Sequence, residues 1–229
     1  MKKVGIIGGL GPETTSEFYL DIVFTCQKLE RTARPSVIIS SVPLPYKIEE
    51  DAIVKNLGIE RCLPFLIQEA GRLENAGADF IVMPCNSLHI FIEEIRKSVS
   101  IPVLSIVEET VKFLKNNDMR TVGIVSTSAT IKNMLYEDAF KKNIIKYVAP
   151  NALQQMKMGK FIHNLVNGRQ NNKDREELIG IIDDLRSRKV DCVVLACTDL
   201  QLLLPQHKDV RIFDTMKIFA DATINKMLK

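Results

Sequence analysis

Along this chain, short unbroken apolar runs alternate with longer stretches in which apolar residues recur every three or four positions. The short runs are "KKVGIIG" (Lys2–Gly8), "SVIISSV" (Ser36–Val42), "DFIVMP" (Asp79–Pro84), "IPVLS" (Ile101–Ser105), "TVGIVS" (Thr121–Ser126), "IIKYVA" (Ile144–Ala149), "DCVVLA" (Asp191–Ala196) and "VRIF" (Val210–Phe213). They are rich in Val and Ile and do not alternate with polar residues, which predicts parallel strands covered on both faces. The longer stretches include Pro12–Glu30, Ile59–Gly77 and Arg175–Arg188 and predict amphipathic helices. The polar segment Asn167–Arg175 reads as an exposed loop. Strand and helix in alternation predict an α/β fold, with helices flanking parallel sheet.

The pattern also repeats. "KVGIIGG" from Lys3 is answered by "TVGIVST" from Thr121, and "DFIVMPCN" from Asp79 by "DCVVLACT" from Asp191. Both pairs are separated by about 110–120 residues, the size of a small domain. Common α/β periodicity accounts for recurring strands. It does not account for a cysteine followed by an amide or hydroxyl residue at equivalent strand ends. The expected organisation is two similar α/β domains related by pseudo-twofold duplication, with a seam near Ser100–Asp118.

Composition narrows the function. With 229 residues, 46% hydrophobic and 26% charged, the chain has the make-up of a soluble globular protein. A net charge of +3 with no basic cluster argues against nucleic acid and against an anionic membrane surface. The N-terminal apolar run breaks at glycines and Pro12, so it reads as a first strand and not a signal segment. Five cysteines (Cys26, Cys62, Cys85, Cys192, Cys197) form an odd set without CxxC spacing, which suits neither a disulfide framework nor a zinc site. Free thiols point to a reducing, cytoplasmic location. His89, His163 and His207 lack metal-ligand spacing, and no metal or other cofactor is expected. "GGLGPETT" (Gly8–Thr15) lacks both the third glycine of a dinucleotide loop and a GK[ST] phosphate loop. It reads as a turn leading into a helix at Pro12. Thr14 and Thr15 serve there either as hydroxyl donors to a ligand or simply in chain geometry.

Cys85 and Cys197 carry the chemistry. Ligands of open parallel sheets bind beyond the carboxyl ends of the strands, where both cysteines fall. A helix start after each would bring a positive field that favours thiolate and anions. Asn86, Ser87 and Thr198 add polar groups at the same edge. Thiols on opposite sides of one small anionic ligand suit inversion of a carbon stereocentre: one removes the proton, the other returns a different one to the far face. Cys26, Cys62 and Cys192 lie within helix or strand patterns and read as small buried hydrophobes. His89, four residues beyond Cys85, reads as a helix-face residue that satisfies local backbone groups, or as one orienting the loop or tuning the thiol.

In "GIIGGLGPETT", "PCNSLH" around Cys85 and "ACTDL" around Cys197, the chain resembles the aspartate/glutamate racemase superfamily, within it the aspartate racemase branch. The resemblance implies a cofactor-independent racemase, commonly a homodimer, with its site in the cleft between two α/β domains. It assigns the opposed acid/base pair to Cys85 and Cys197, and substrate carboxylate binding to Asn86, Ser87, Thr127 and Thr198. It also implies return of the C-terminal segment to the first domain, giving domains 1–100 with 208–229, and 101–207. Two positions depart from the family pattern. Lys47 stands where aspartate-specific members carry an arginine, and a lysine brings charge without the bidentate fork. Val166 stands at the position of a family lysine in the second domain.

The expected function is racemisation of a small acidic amino acid, aspartate first and glutamate next, with Lys47 reaching the side-chain carboxylate. The departures leave two alternatives. One is an isomerase or related enzyme acting on another amino acid or small diacid; the other is a ligand-binding relative without turnover.

Overall fold

A computed structural model describes residues 1–54, 57–166, 168–203 and 207–229. The chain divides into two compact units, Met1–Glu109 with Met216–Lys229, and Thr110–Thr215. Each is built on its own parallel sheet.

The first unit opens with β1 (Val4–Gly8) and α1 (Pro12–Leu29), followed by β2 (Val37–Ser41) and the short α2 (Tyr46–Glu49). Helix α3 (Leu63–Asn75), β3 (Phe80–Val82) and α4 (Ile92–Ser98) come next, and α5 (Ile106–Asn116) carries the chain across the division at Glu109. The second unit holds β4 (Thr121–Ser126), α6 (Ser128–Lys132), α7 (Leu135–Lys142), β5 (Lys146–Val148), α8 (Ala152–Val166), α9 (Asn172–Ser187), β6 (Cys192–Ala196) and β7 (Arg211–Asp214). Helix α10 (Thr215–Met227) belongs with the first unit, where Lys2 N donates to Met227 O at 2.8 Å. The α/β class with two parallel sheets is as the sequence predicts.

Strand order in the first sheet is β2-β1-β3 and in the second β5-β4-β6-β7, all parallel. In both, the glycine-bearing strand is central and the strand leading to a cysteine lies beside it. The predicted strand "IPVLS" shrinks to one bridge, Ile81 to Val103, in the place that β7 takes in the second sheet. Central strands β1 and β6 are buried throughout. Edge strands β2, β5 and β7 are partly exposed, so their apolar runs did not require cover on both faces.

Helices follow their patterns. Pro12 occupies the first turn of α1 without an N–H to satisfy. In α9, Leu178, Ile181, Ile182 and Leu185 recur on one buried face and pack on Val193 and Leu195. The expected loop Asn167–Arg175 is shorter than its composition suggests. Asn171 caps α9 in a reciprocal capping box with Asp174, so the helix starts at Asn172; Asn167 lies outside the described residues.

The repeated stretches share one more device. Asp79 Oδ2 accepts from Lys3 N at 2.6 Å while Asp79 N donates to Lys3 O at 2.8 Å. Asp191 Oδ2 accepts from Arg120 N and Thr121 N, both at 2.7 Å, while Asp191 N donates to Thr121 O at 2.7 Å. Each aspartate ties the start of a cysteine strand to the start of the central strand and sets their register.

His89 performs a related task at the other end of β3. Its Nδ1 is 2.7 Å from Cys85 O, and its Nε2 is 3.0 Å from Ile106 N. The amide of Ile106 can only donate, so Nε2 accepts and the ring proton sits on Nδ1, donated to the Cys85 carbonyl. The imidazole is 1% exposed, and burial pushes its pKa down to about 4 from 6.5. Of the two roles weighed for this histidine, it satisfies backbone groups and joins the cysteine turn to the first residue of α5.

Two outcomes follow for stability. Asp191→Ala should lower unfolding free energy by about 1 kcal/mol in denaturant titrations, a modest loss because the carboxylate is exposed. For His89, the folded pKa lies below the unfolded value, so the unfolded chain binds the proton first. The neutral ring's contribution is complete above pH 6.5 and is lost as pH falls toward 4, amounting to roughly 3 kcal/mol. A His89→Phe variant should lose that slope, and should already be weaker at pH 7 because the bonds from His89 to Cys85 O and Ile106 N are lost.

Candidate active site

The carboxyl end of β3 runs through Met83 and Pro84 into Cys85, whose N donates to Met83 O at 2.8 Å. Asn86 and Ser87 follow, and Ser87–Phe91 forms a single 3-10 segment before α4. Asn86 is 2% exposed and Ser87 7%. In the second unit, β6 ends at Ala196, directly before Cys197 and Thr198. There the helical element is a three-residue 3-10 turn, Leu200–Leu202. Neither cysteine therefore opens an α-helix directly. The helix-dipole field expected from the sequence is correspondingly weak, since a single short turn aligns few peptide units.

Parallel register assembles the second-unit edge. Ser126, the last residue of β4, is paired with Ala196, so Thr127 lies beside Cys197. Thr127 caps α6: its hydroxyl oxygen accepts from Thr130 N at 3.2 Å and lies 3.1 Å from Thr130 Oγ1. Cys197 Sγ donates to Asp199 Oδ2 at 3.8 Å. That carboxylate is part of the "ACTDL" motif, and sequence reading assigned it no role.

None of the five cysteines forms a disulfide among the described residues, yet they fall into two groups. Cys26, Cys62 and Cys192 are sealed at 0–1% exposure, and burial raises the pKa of each, Cys192 to about 12. They are held neutral and inert. Cys85 and Cys197 each keep 6% exposure and stand among polar neighbours at a strand end.

The remaining predicted positions separate. The glycine turn spends its hydroxyls internally. Thr14 Oγ1 and Thr15 Oγ1 both donate to Gly11 O, at 3.0 and 2.9 Å, and Thr15 Oγ1 accepts from Gly9 N. Gly9 has φ +81°, and a Cβ there would stand 2.5 Å from Ser41 Oγ. The turn is thus a matter of chain geometry. Lys47 lies on α2, its side chain 72% exposed and its Nζ 3.5 Å from Asp51 Oδ1. Val166 ends α8 with its side chain outside the described part of the chain. Sequence reading missed Gln155 in the first turn of α8, whose Nε2 donates to Ser126 O at 2.9 Å. No motif marks it. Among the described residues, no group of three or more His, Cys, Asp or Glu could hold a metal, and no helix is long and apolar enough to cross a membrane.

Known proteins similar to this chain include amino-acid racemases. The broad specificity amino-acid racemase RacX of Bacillus subtilis is 30% identical, with 98% of each chain aligned. The crystal structure of an aspartate racemase homologue from Pyrococcus horikoshii superposes with a TM-score of 0.81 at 26% identity, covering 100% of both chains. The aspartate racemase of Picrophilus torridus gives a TM-score of 0.81 at 25% identity, covering 100% of this chain and 95% of its own. The sequence profile described as Asp/Glu/Hydantoin racemase matches residues 7–223. A match running from β1 into α10, through both cysteine edges, leaves one conclusion: the chain belongs to the Asp/Glu/hydantoin racemase family.

Proposed function

We propose that this amino-acid racemase inverts the α-carbon of a small acidic amino acid, aspartate before glutamate, by a two-cysteine acid/base mechanism without pyridoxal phosphate. The observation carrying this reading is the division among the five thiols. Three are sealed and inert, while Cys85 and Cys197 alone stand at strand ends beside amide or hydroxyl residues and remain partly exposed. In the reading, each of the two units contributes one of these thiols. The thiolate of one cysteine takes the α-proton, the thiol of the other gives its proton to the opposite face, and the pair ends with its protonation exchanged. Either direction of reaction uses the same two groups.

The α-carboxylate would be held by Asn86, Ser87, Thr127 and Thr198. Those contacts stabilise the negative charge that spreads from the α-carbon onto the carboxylate in the transition state. Lys47 would supply the charge for a side-chain carboxylate. A homodimer would cover Leu20 and Phe24, exposed apolar residues one turn apart on α1. Five cysteines without a disulfide among the described residues suit a cytoplasmic setting.

A second reading, broad specificity, is favoured by one observation. Lys47 is paired with Asp51 and well solvated, so its attraction for a second carboxylate is partly spent. The resemblance to RacX agrees with that reading.

Cys85→Ala and Cys197→Ala should each reduce racemisation by about 10²–10⁴-fold, followed by chiral chromatography and by deuterium incorporation at the α-carbon in D₂O. Undiminished exchange in both variants would sink the mechanism. For Lys47→Met, the expected result is a KM for aspartate raised about 3–10-fold with kcat unchanged. An unchanged KM, with alanine or other neutral amino acids turned over equally well, selects the broad-specificity reading. Turnover of maleate-like diacids in place of amino acids would select an isomerase.

A further inference from the structure

Gln155 is half-buried in the first turn of α8, at the carboxyl end of the second sheet. Its Nε2 donates to the carbonyl of Ser126, the last residue of β4. A carbonyl can only accept, so this bond fixes which end of the carboxamide is nitrogen and which is oxygen. The oxygen is thereby turned away from Ser126. Gln155 Oε1 is buried, and among the described residues it has no hydrogen-bond partner. An acceptor withheld from water in this way costs about 1–3 kcal/mol and calls for an explanation.

Its position supplies one. Ser126 precedes Thr127 and is paired with Ala196, which precedes Cys197, so the amide is anchored at the edge that carries the second thiol. We infer that Gln155 Oε1 accepts a hydrogen bond from the α-ammonium group of the substrate and makes this site select amino acids over amine-free acids. The inference rests on the racemase reading for the identity of the site, and it adds a group that reading does not use. Hydroxyls such as those of Thr127 and Thr198 can donate to a carboxylate, whereas an ammonium can only donate and needs an acceptor. A neutral amide has an advantage over a carboxylate for this purpose. It binds the ammonium without cancelling its charge, and that charge stabilises the developing carbanion at the α-carbon.

Calorimetric titration with matched pairs tests it: L-aspartate against succinate, L-glutamate against glutarate, and L-alanine against propionate. The wild type should bind the amino acid of at least one pair more than about tenfold tighter. In Gln155→Met that preference should collapse, with the amino acid weakened about tenfold and the amine-free acid held within about twofold. Gln155→Lys retains a donor for the Ser126 carbonyl and has no acceptor. It should shift preference toward the amine-free acid, and it carries the test if the methionine variant does not fold. A preference unchanged in the folded variants, or a wild type that binds both members of every pair equally or binds neither, overturns the assignment. Wild-type deuterium exchange is scored separately. Selective amino-acid binding with no α-proton exchange would end the racemase reading and leave the role of Gln155 standing.

Discussion

Parallel pairing between a central strand and its cysteine strand is the constraint on which the rest of this molecule depends. In a parallel sheet every strand delivers its carboxyl end to the same side, so residues far apart in sequence become neighbours at one edge. The pairing of Ser126 with Ala196 turns Thr127 and Cys197 into adjacent positions although 70 residues separate them. A slip of one residue would send every side chain of β6 to the opposite face and move the thiol out of place. Asp79 and Asp191 guard against that slip at the amino ends of the cysteine strands, and His89 holds the Cys85 carbonyl at the other end.

Burial then sorts chemically identical groups into different roles. A thiol inside β6 and a thiol just past its end are five residues apart, yet Cys192 is sealed and its pKa pushed to about 12, while Cys197 keeps a polar neighbour in Asp199. The same sorting applies to hydroxyls. Thr14 and Thr15 are consumed by the backbone of the glycine turn, whereas Thr127 stands at a strand edge with its oxygen capping a helix. Residue type supplies the capability, and the local hydrogen-bond ledger decides whether any of it is left for a ligand.

The limits of sequence reading fall where edges and ends matter. Apolar runs such as "VIISS" and "KYV" announced strands correctly but not their cover, because an edge strand and a central strand can share a composition. "IPVLS" had the right pattern and formed only a bridge at Val103. The short 3-10 segments after both cysteines replaced the expected helix starts, since local propensity says little about which helical type closes a tight turn. Lys47 could be located by alignment, but its ion pair with Asp51 depends on a helical turn that the spacing alone does not establish.

The sequence by itself determined the α/β class, the repeated strand-to-cysteine stretches and the placement of Cys85 and Cys197 at strand ends. All of these are periodic or local, and hydrophobic patterning with strand-end position expresses them directly. Only the tertiary structure decided which strands are central, that Asp79 and Asp191 clamp them in register, which tautomer His89 adopts, and that Gln155 reaches Ser126 with its oxygen unanswered. Those facts depend on contacts between distant segments. Whether a polar atom finds a partner is settled by what packs around it, and no window of sequence contains that neighbourhood.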